Sequence, residues 1–484
     1  MMSETVGKQL SDIFGKKTQT KKSVRVPSLL NEGPEVIGLM TVVIGNGGSL
    51  DSAVRSVAEN GPPLSAELFR RAADRADTRV EADMRASITE ELAHLRGGAE
   101  AYSMAVHMVM SASDARDAGE RERTLRGASE TALAGLREAG KSYSSSLNVP
   151  CMAVFGMGIM MPMILMSVLP MLSISGIFGS SSLDMGQLSA VTLILVPAAV
   201  AAVMLSVKER NPFMSRGKIH IDLRMFLPVL ISVPVYLALS FSGTDSVSAG
   251  CIGCAAGGAA LFVSVYPGYR RETERKKVAA VLCDAVYEMG NRLVAGENFE
   301  DALVGAVAAR DECAQIAEAL KREMVLCRGD VRSAIVNAMS PVSPAAAEAV
   351  CGIYDAGLKD LRDAGRLALS VGRQMKDQES VRRSIRSDLR SMTDTMFSTA
   401  SIFAPLVLGL STSMLVPLER ISESADLSGT AAVLAVYLAE LCVMISVLIS
   451  FLEGDARPEN AARRLGIMLP ISMLVFLAGS NFGL

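Results

Sequence analysis

Seven long apolar runs divide this chain of 484 residues, near 149–176, 187–207, 225–241, 247–267, 396–418, 430–452 and 464–484. Leu188–Val207 and Val247–Tyr266 contain no charged residue. At 1.5 Å per residue each is long enough for the ~30 Å of a bilayer's hydrocarbon. Met225–Phe241 is shorter, near the lower limit of ~17 residues. Two polar, helix-forming blocks sit among these runs, one before the first and one between the fourth and fifth. Mean hydropathy is +0.33, yet a fifth of the residues are charged. Averaging membrane spans with polar domains gives those values, and a soluble enzyme does not. The pattern predicts an all-α polytopic membrane protein with about seven transmembrane helices and two helical-bundle modules in the cytoplasm.

The expected divisions are a flexible basic tail at 1–33, a first module at 34–148 and four spans at 149–267. A second module at 268–395 and three spans at 396–484 complete the chain. The tail carries Lys8, Lys16, Lys17, Lys21, Lys22 and Arg25, with no apolar segment of the signal-peptide kind after them. It suits anionic lipid or an acidic partner. Lys and Arg concentrate in four flanks: 208–224, 270–277, 382–390 and 457–464. The opposite loops, 177–186, 242–246 and 419–429, hold only Arg420 among basic residues. The Lys/Arg bias therefore places the N-terminus, both polar blocks and the 208–224 loop inside, and the C-terminus outside.

The two blocks share an opening. Gly47-Gly48-Ser49 reads as a turn with Ser49 as helix cap, followed by Leu50, Val54 and Val57 on one helix face. Asn60-Gly61-Pro62-Pro63 breaks that helix, and Leu64, Leu68 and Ala72 begin another stripe. Its other face carries Arg70, Arg71, Asp74, Arg75 and Asp77. In the second block Gly296-Glu297-Asn298 precedes Phe299, Leu303 and Ala306 in the same phase, with Asp301 in the first turn. Gly47 lies 123 residues before Pro170 and Gly296 lies 121 before Pro417. Turn, phase and distance to the span together indicate two related modules, each ending in a membrane helix.

Signals for enzymatic chemistry are missing. A Gly-Gly pair before a helix is compatible with a phosphate cradle, but no Lys-Ser/Thr pair follows it and no suitable strand precedes it. The three histidines, His94, His107 and His220, have no partner at metal spacing. Eight cysteines are scattered, and Cys251 and Cys254 read as small packing residues. No cofactor is expected. A net charge of −3 calls for no direct nucleic-acid contact. The methionines of the first run (Met157, Met160, Met161, Met163 and Met166) are adaptable packing material. Glu440, midway along the sixth run, must face the bundle, be neutral or have a partner, because a charged carboxylate in hydrocarbon costs several kcal/mol. It reads either as a structural polar contact or as a functional group.

The Gly47-Gly48-Ser49-Leu50-Asp51-Ser52-Ala53 start, the helical block and the span entered near Val149 resemble the type II secretion F family. These are the inner-membrane platform proteins of type IV pili, Tad-type secretion and archaeal surface filaments. The likeness recurs more weakly at Gly296–Ala302 and 396–418, and the layout is most similar to the archaeal branch. The resemblance implies a platform beneath which a hexameric cytoplasmic secretion ATPase docks, and which adds pilin-like subunits to a filament. It also implies a homodimer in contact with membrane lipid. On this sequence the contact surface would be the two modules and the 208–224 loop. By exposure and matched position the candidate polar contacts are Arg70, Arg71, Arg75, Glu297, Glu300 and Asp301, which otherwise read as solvated helix-face residues. The second module departs from the pattern in having Gly296-Glu297 where the first has a Gly-Gly pair. The rival reading is a transporter built on Glu440, which would call for inverted repeats within the membrane.

Overall fold

A computed structural model of the chain describes residues 26–95, 98–162, 164–165, 189–211, 213, 223–421, 429–454 and 457–481. The described residues form helices joined by short turns, with no strand. The first block is a bundle of α1 (Val26–Gly45), α2 (Leu50–Asn60), α3 (Pro63–Asp77), α4 (Met84–Ala93), α5 (Glu100–Asp114) and α6 (Ala118–Ser146). Local chemistry sets its starts. Ser49 Oγ accepts from Ser52 N at 3.2 Å, Asp83 from Ala86 N at 2.7 Å and Asp117 from Glu120 N at 3.1 Å. Each cap satisfies a backbone donor that the first helical turn leaves free. The tail boundary expected at residue 33 falls inside α1, because Leu29, Val36, Ile37 and Met40 are buried in one stripe against Val54, Leu68 and Val106. Residues 1–25 lie outside the described residues.

The second block takes the far half of α10 (Ser246–Val294), then α11 (Phe299–Ala308), α12 (Ala314–Leu326), α13 (Val331–Met339), α14 (Pro344–Gly357) and α15 (Leu361–Ser398). Here too capping residues stand at the helix starts, with Asp330, Ser343 and Asp360 accepting from backbone N–H groups. Its core packs Leu282, Val286 and Met289 of α10 against Leu303, Ile335 and Val350.

Between the blocks, α7 (Asn148–Phe155) runs into a π-helical turn at Gly156–Met160. Then come α8 (Val196–Arg210) and α9 (Ser232–Phe241), the latter entered through a 3₁₀ segment at Leu223–Ile231. After the second block a π-helical turn at Thr399–Phe403 continues into α16 (Ala404–Ile421), followed by α17 (Thr430–Leu452) and α18 (Pro458–Ser480).

Among the described residues five helical stretches are long and apolar enough to cross a membrane: Val191–Lys208, Ser246–Val294, Leu361–Ser413, Thr430–Leu452 and Pro458–Ser480. That is compatible with a multi-pass membrane protein. Of the seven expected runs, the third is a shorter apolar helix, Leu227–Phe241. The first is described only as far as residue 165. Its remainder, Met163 and Met166, the 177–186 loop, most of 208–224 and residues 422–428 lie outside the described residues. The apolar helices share a core in which Leu434, Leu438, Leu441 and Ile445 of α17 meet Val200 and Met204 of α8 and Met468 and Phe476 of α18.

The expected boundaries at 267/268 and 395/396 lie within helices. Pro267 lies inside α10 and residue 395 inside α15. With 49 residues, α10 is about 70 Å long at 1.5 Å per residue, so one rod joins an apolar helix to a polar module.

Candidate functional site

The two modules meet along α1, α14 and α15. Gln374 of α15 is buried and its Nε2 donates to the Pro34 carbonyl of α1 at 3.2 Å. Val42 crosses from α1 into the core of the second module and seats against Gly352 of α14, where a Cβ would collide with it. At the rim, Asn60 Nδ2 donates to Glu348 at 3.3 Å and Lys359 Nζ to the Asn46 carbonyl at 3.5 Å. Between the modules lies a cavity of about 410 Å³ with Glu35, Arg55, Arg332 and Asp355 on its wall. Arg332 is held by Asp355 at 2.6 Å and Glu348 at 3.7 Å, and Arg55 by Asp77 at 2.7 Å and Asp51 at 3.1 Å. Burial pushes the Glu35 carboxyl above its ordinary range, against the pull of Arg382, with Glu32 adding to the rise.

The modules reach the apolar helices through α6 and α15, which run side by side in the same direction. A Cβ on Gly140 of α6 would lie 2.6 Å from Ile385 of α15. Further along, the rings of Phe155 and Phe403 stack with centroids 6.2 Å apart. Each path contains a π-helical turn, Gly156–Met160 and Thr399–Phe403, beginning the same number of residues after the capping aspartates Asp117 and Asp360. Such turns insert one residue into the hydrogen-bond ladder and bend a helix locally. The Tyr437 hydroxyl of α17 donates to the Gly158 carbonyl inside the first of them.

Helix α3 presents Arg70, Arg71 and Arg75, and all three are engaged within the first module. Arg70 donates to the Ala58 carbonyl at 2.8 Å. Arg71 and Arg75 share Glu91 at 3.5 and 3.0 Å, and Arg75 also reaches Glu81 at 3.2 Å. Glu297 pairs with Arg292 at 3.4 Å. Glu300 and Asp301 are exposed in the first turn of α11, where the helix dipole favours their charge. The two groups of candidates therefore lie on separate modules and are not gathered into one pocket. Glu440 is half-buried on α17, three residues from Tyr437. Asn298 begins α11 without a side-chain cap, unlike Ser49. Cys251 is buried and Cys254 half-buried, both as free thiols, and among the described residues no group of His, Cys, Asp or Glu could hold a metal ion.

Sequence reasoning missed one pair altogether. Among the described residues, the non-glycine residues with positive φ are Arg79 and Arg328, at 55° and 51°. They stand at the same offset from each other as Gly47 and Gly296, whose φ values are 76° and 94°. The turns at these glycines match bond for bond. Gly47 N donates to Ile44 O at 3.0 Å and Gly48 N to Val43 O at 2.9 Å; Gly296 N donates to Leu293 O at 3.0 Å and Glu297 N to Arg292 O at 3.1 Å. The signal available in the sequence was the constant offset itself, followed beyond the first helix.

Comparison with protein-family models, with curated proteins and with solved structures finds no match. The class that the fold defines is an all-helical chain, compatible with a multi-pass membrane protein, in which two polar helical modules continue into apolar helices.

Proposed function

We propose that this chain is the membrane platform of a type IV filament assembly or secretion machine, coupling a cytoplasmic secretion ATPase to the insertion of pilin-like subunits. The observation that carries the reading is the pair of parallel paths, α6 into Gly156–Met160 and α15 into Thr399–Phe403. Each leaves a bundle of six helices and enters the apolar core beside the other. A force applied to the first module would be carried along α6 and α7, and one applied to the second along α15, toward the apolar helices.

On this reading the modules are duplicated and both lie in the cytoplasm. Duplication is supported by the glycine turns and the left-handed arginines, which share one offset, and by π-helical turns at equal distances from their capping aspartates. The basic flanks at 270–277, 382–390 and 457–464 support the cytoplasmic placement. The exposed residues Glu297, Glu300, Asp301, Arg70 and Arg71 remain the proposed ATPase contacts, whereas the half-buried Arg75 is held by Glu91 of α4 and by Glu81. A repeat whose halves enter in the same direction is not the inverted arrangement that a transporter of the broken-helix kind uses.

The test is deletion of the gene in its host, scored by surface filaments and by recovery of the ATPase with the tagged full-length chain. The expected result is loss of filaments together with ATPase co-purification that depends on both modules. Normal filaments in the deletion strain, or solute flux through the reconstituted protein, would overturn the reading.

A further inference from the structure

Where α10, α15, α17 and α18 converge lies a second cavity, of about 840 Å³. Seven Lys and Arg side chains line it against five carboxylates, so its wall is net positive. The carboxylates are largely committed. Glu379 holds Arg383 at 3.1 Å, Asp394 holds Arg390 at 3.6 Å, Glu453 holds Arg464, and Glu272 reaches outward to Arg457 at 2.7 Å. Lys277 and Arg386 have no ion pair among the described residues and are exposed. Arg463 lies over the Tyr269 ring with its guanidinium carbon 4.0 Å from the centroid.

Two guanidinium nitrogens on this wall, Arg463 Nε and Arg464 Nη1, are buried without a hydrogen-bond partner. The Arg464 side chain is only 11% exposed. Unpaired buried donors on a cation are costly, and a guanidinium fork matches the oxygens of a phosphate. The cavity is not uniformly polar. Phe397, Ile449 and Ile467 form an apolar side, and the last two belong to the membrane-length helices α17 and α18. A basic pocket with an apolar side, set where membrane helices meet a polar module, suits the phosphodiester and adjoining chain of an anionic lipid.

We propose that this cavity binds the phosphate headgroup of an anionic phospholipid, with Arg463 and Arg464 as the inner contacts and Lys277 and Arg386 at the mouth. The lipid would tie α10, α15 and α18 together at the membrane surface, independently of what the modules engage.

The test uses the full-length chain in nanodiscs of phosphatidylcholine alone or with a third of phosphatidylglycerol, and in detergent with inorganic phosphate. Melting temperature and retained lipid by native mass spectrometry are read for the wild type and for Lys277→Gln/Arg386→Gln. This double variant changes exposed residues and leaves the Arg464–Glu453 pair intact; Arg463→Lys is the second variant. Phosphatidylglycerol is expected to raise the melting temperature by several degrees and to remain bound. Each variant is expected to lose at least fivefold of the retained lipid while keeping its helical circular dichroism. Equal retention of the two lipids, retention unchanged in the variants, or an equal shift produced by inorganic phosphate alone would overturn the proposal.

Discussion

Arg79 and Arg328 occupy matching left-handed turns, one in each six-helix bundle, and each donates one of a matched pair of backbone bonds. Thr78 N donates to Asp74 O at 2.9 Å and Arg79 N to Ala76 O at 3.1 Å. Cys327 N donates to Glu323 O at 2.8 Å and Arg328 N to Val325 O at 3.4 Å. A left-handed residue with a Cβ costs roughly 1 kcal/mol, and glycine avoids most of that strain. Arg79→Gly and Arg328→Gly should each raise the melting temperature by about 1–3 °C, with similar size at the two sites. Thermal circular dichroism in detergent checks this. A gain at one site and a loss at the other would contradict their equivalence.

Gln374 makes a buried polar tie between the modules. Replacing it with Ala removes its bond to the Pro34 carbonyl and should cost about 1–3 kcal/mol locally. Hydrogen exchange should accelerate in α1 and the facing part of α15 and stay unchanged in α12 and α13. Uniform acceleration across both bundles would mean that the interface is not an independent element.

Glu35 gives the interface a pH dependence. Its folded pKa is raised by burial, so the ionised form is disfavoured in the folded state. No cost arises below its ordinary value of 4.5. The cost appears as pH climbs through the raised folded value and is complete above it. Glu35→Gln should therefore raise the melting temperature at pH 7.5 and make no difference near pH 4. A benefit that is the same at both pH values would rule out titration of Glu35 as its source.

The helices and their phases were legible in the sequence because caps and stripes are local. Ser49, the Gly61-Pro62-Pro63 break, and the buried faces of Val54, Leu68 and Leu303 follow from neighbouring residues alone. What was not legible depends on distant partners. Nothing near Val42 says that it belongs to the other module's core, and nothing near Gly352 says what fills the space above it. The arginines of α3 looked free because their acceptors, Ala58 O, Glu81 and Glu91, come from neighbouring segments. The positions 33, 267 and 395, where polarity changes, lie within helices, and nothing local in the sequence says whether such a change ends a helix.

Tyr437 fixes the first π-helical turn to α17. Tyr437→Phe removes the hydroxyl that reaches the Gly158 carbonyl, a contact worth about 0.6–2 kcal/mol between membrane helices. The melting temperature should fall by a few degrees, and Phe should retain more stability than Ala because the ring is buried. Identical losses for the two variants would show that the hydroxyl, and not the packing, carries the whole effect.

On the proposed function, both modules are grasped by a cytoplasmic motor. The most direct measurement places a photo-crosslinking residue at Arg71, Glu300 or Asp301 in the full-length chain and identifies the adducts formed in living cells. Adducts with the secretion ATPase are expected from both modules, lost when the ATPase is absent. Adducts from neither module, in cells that express the ATPase and assemble filaments, would contradict it.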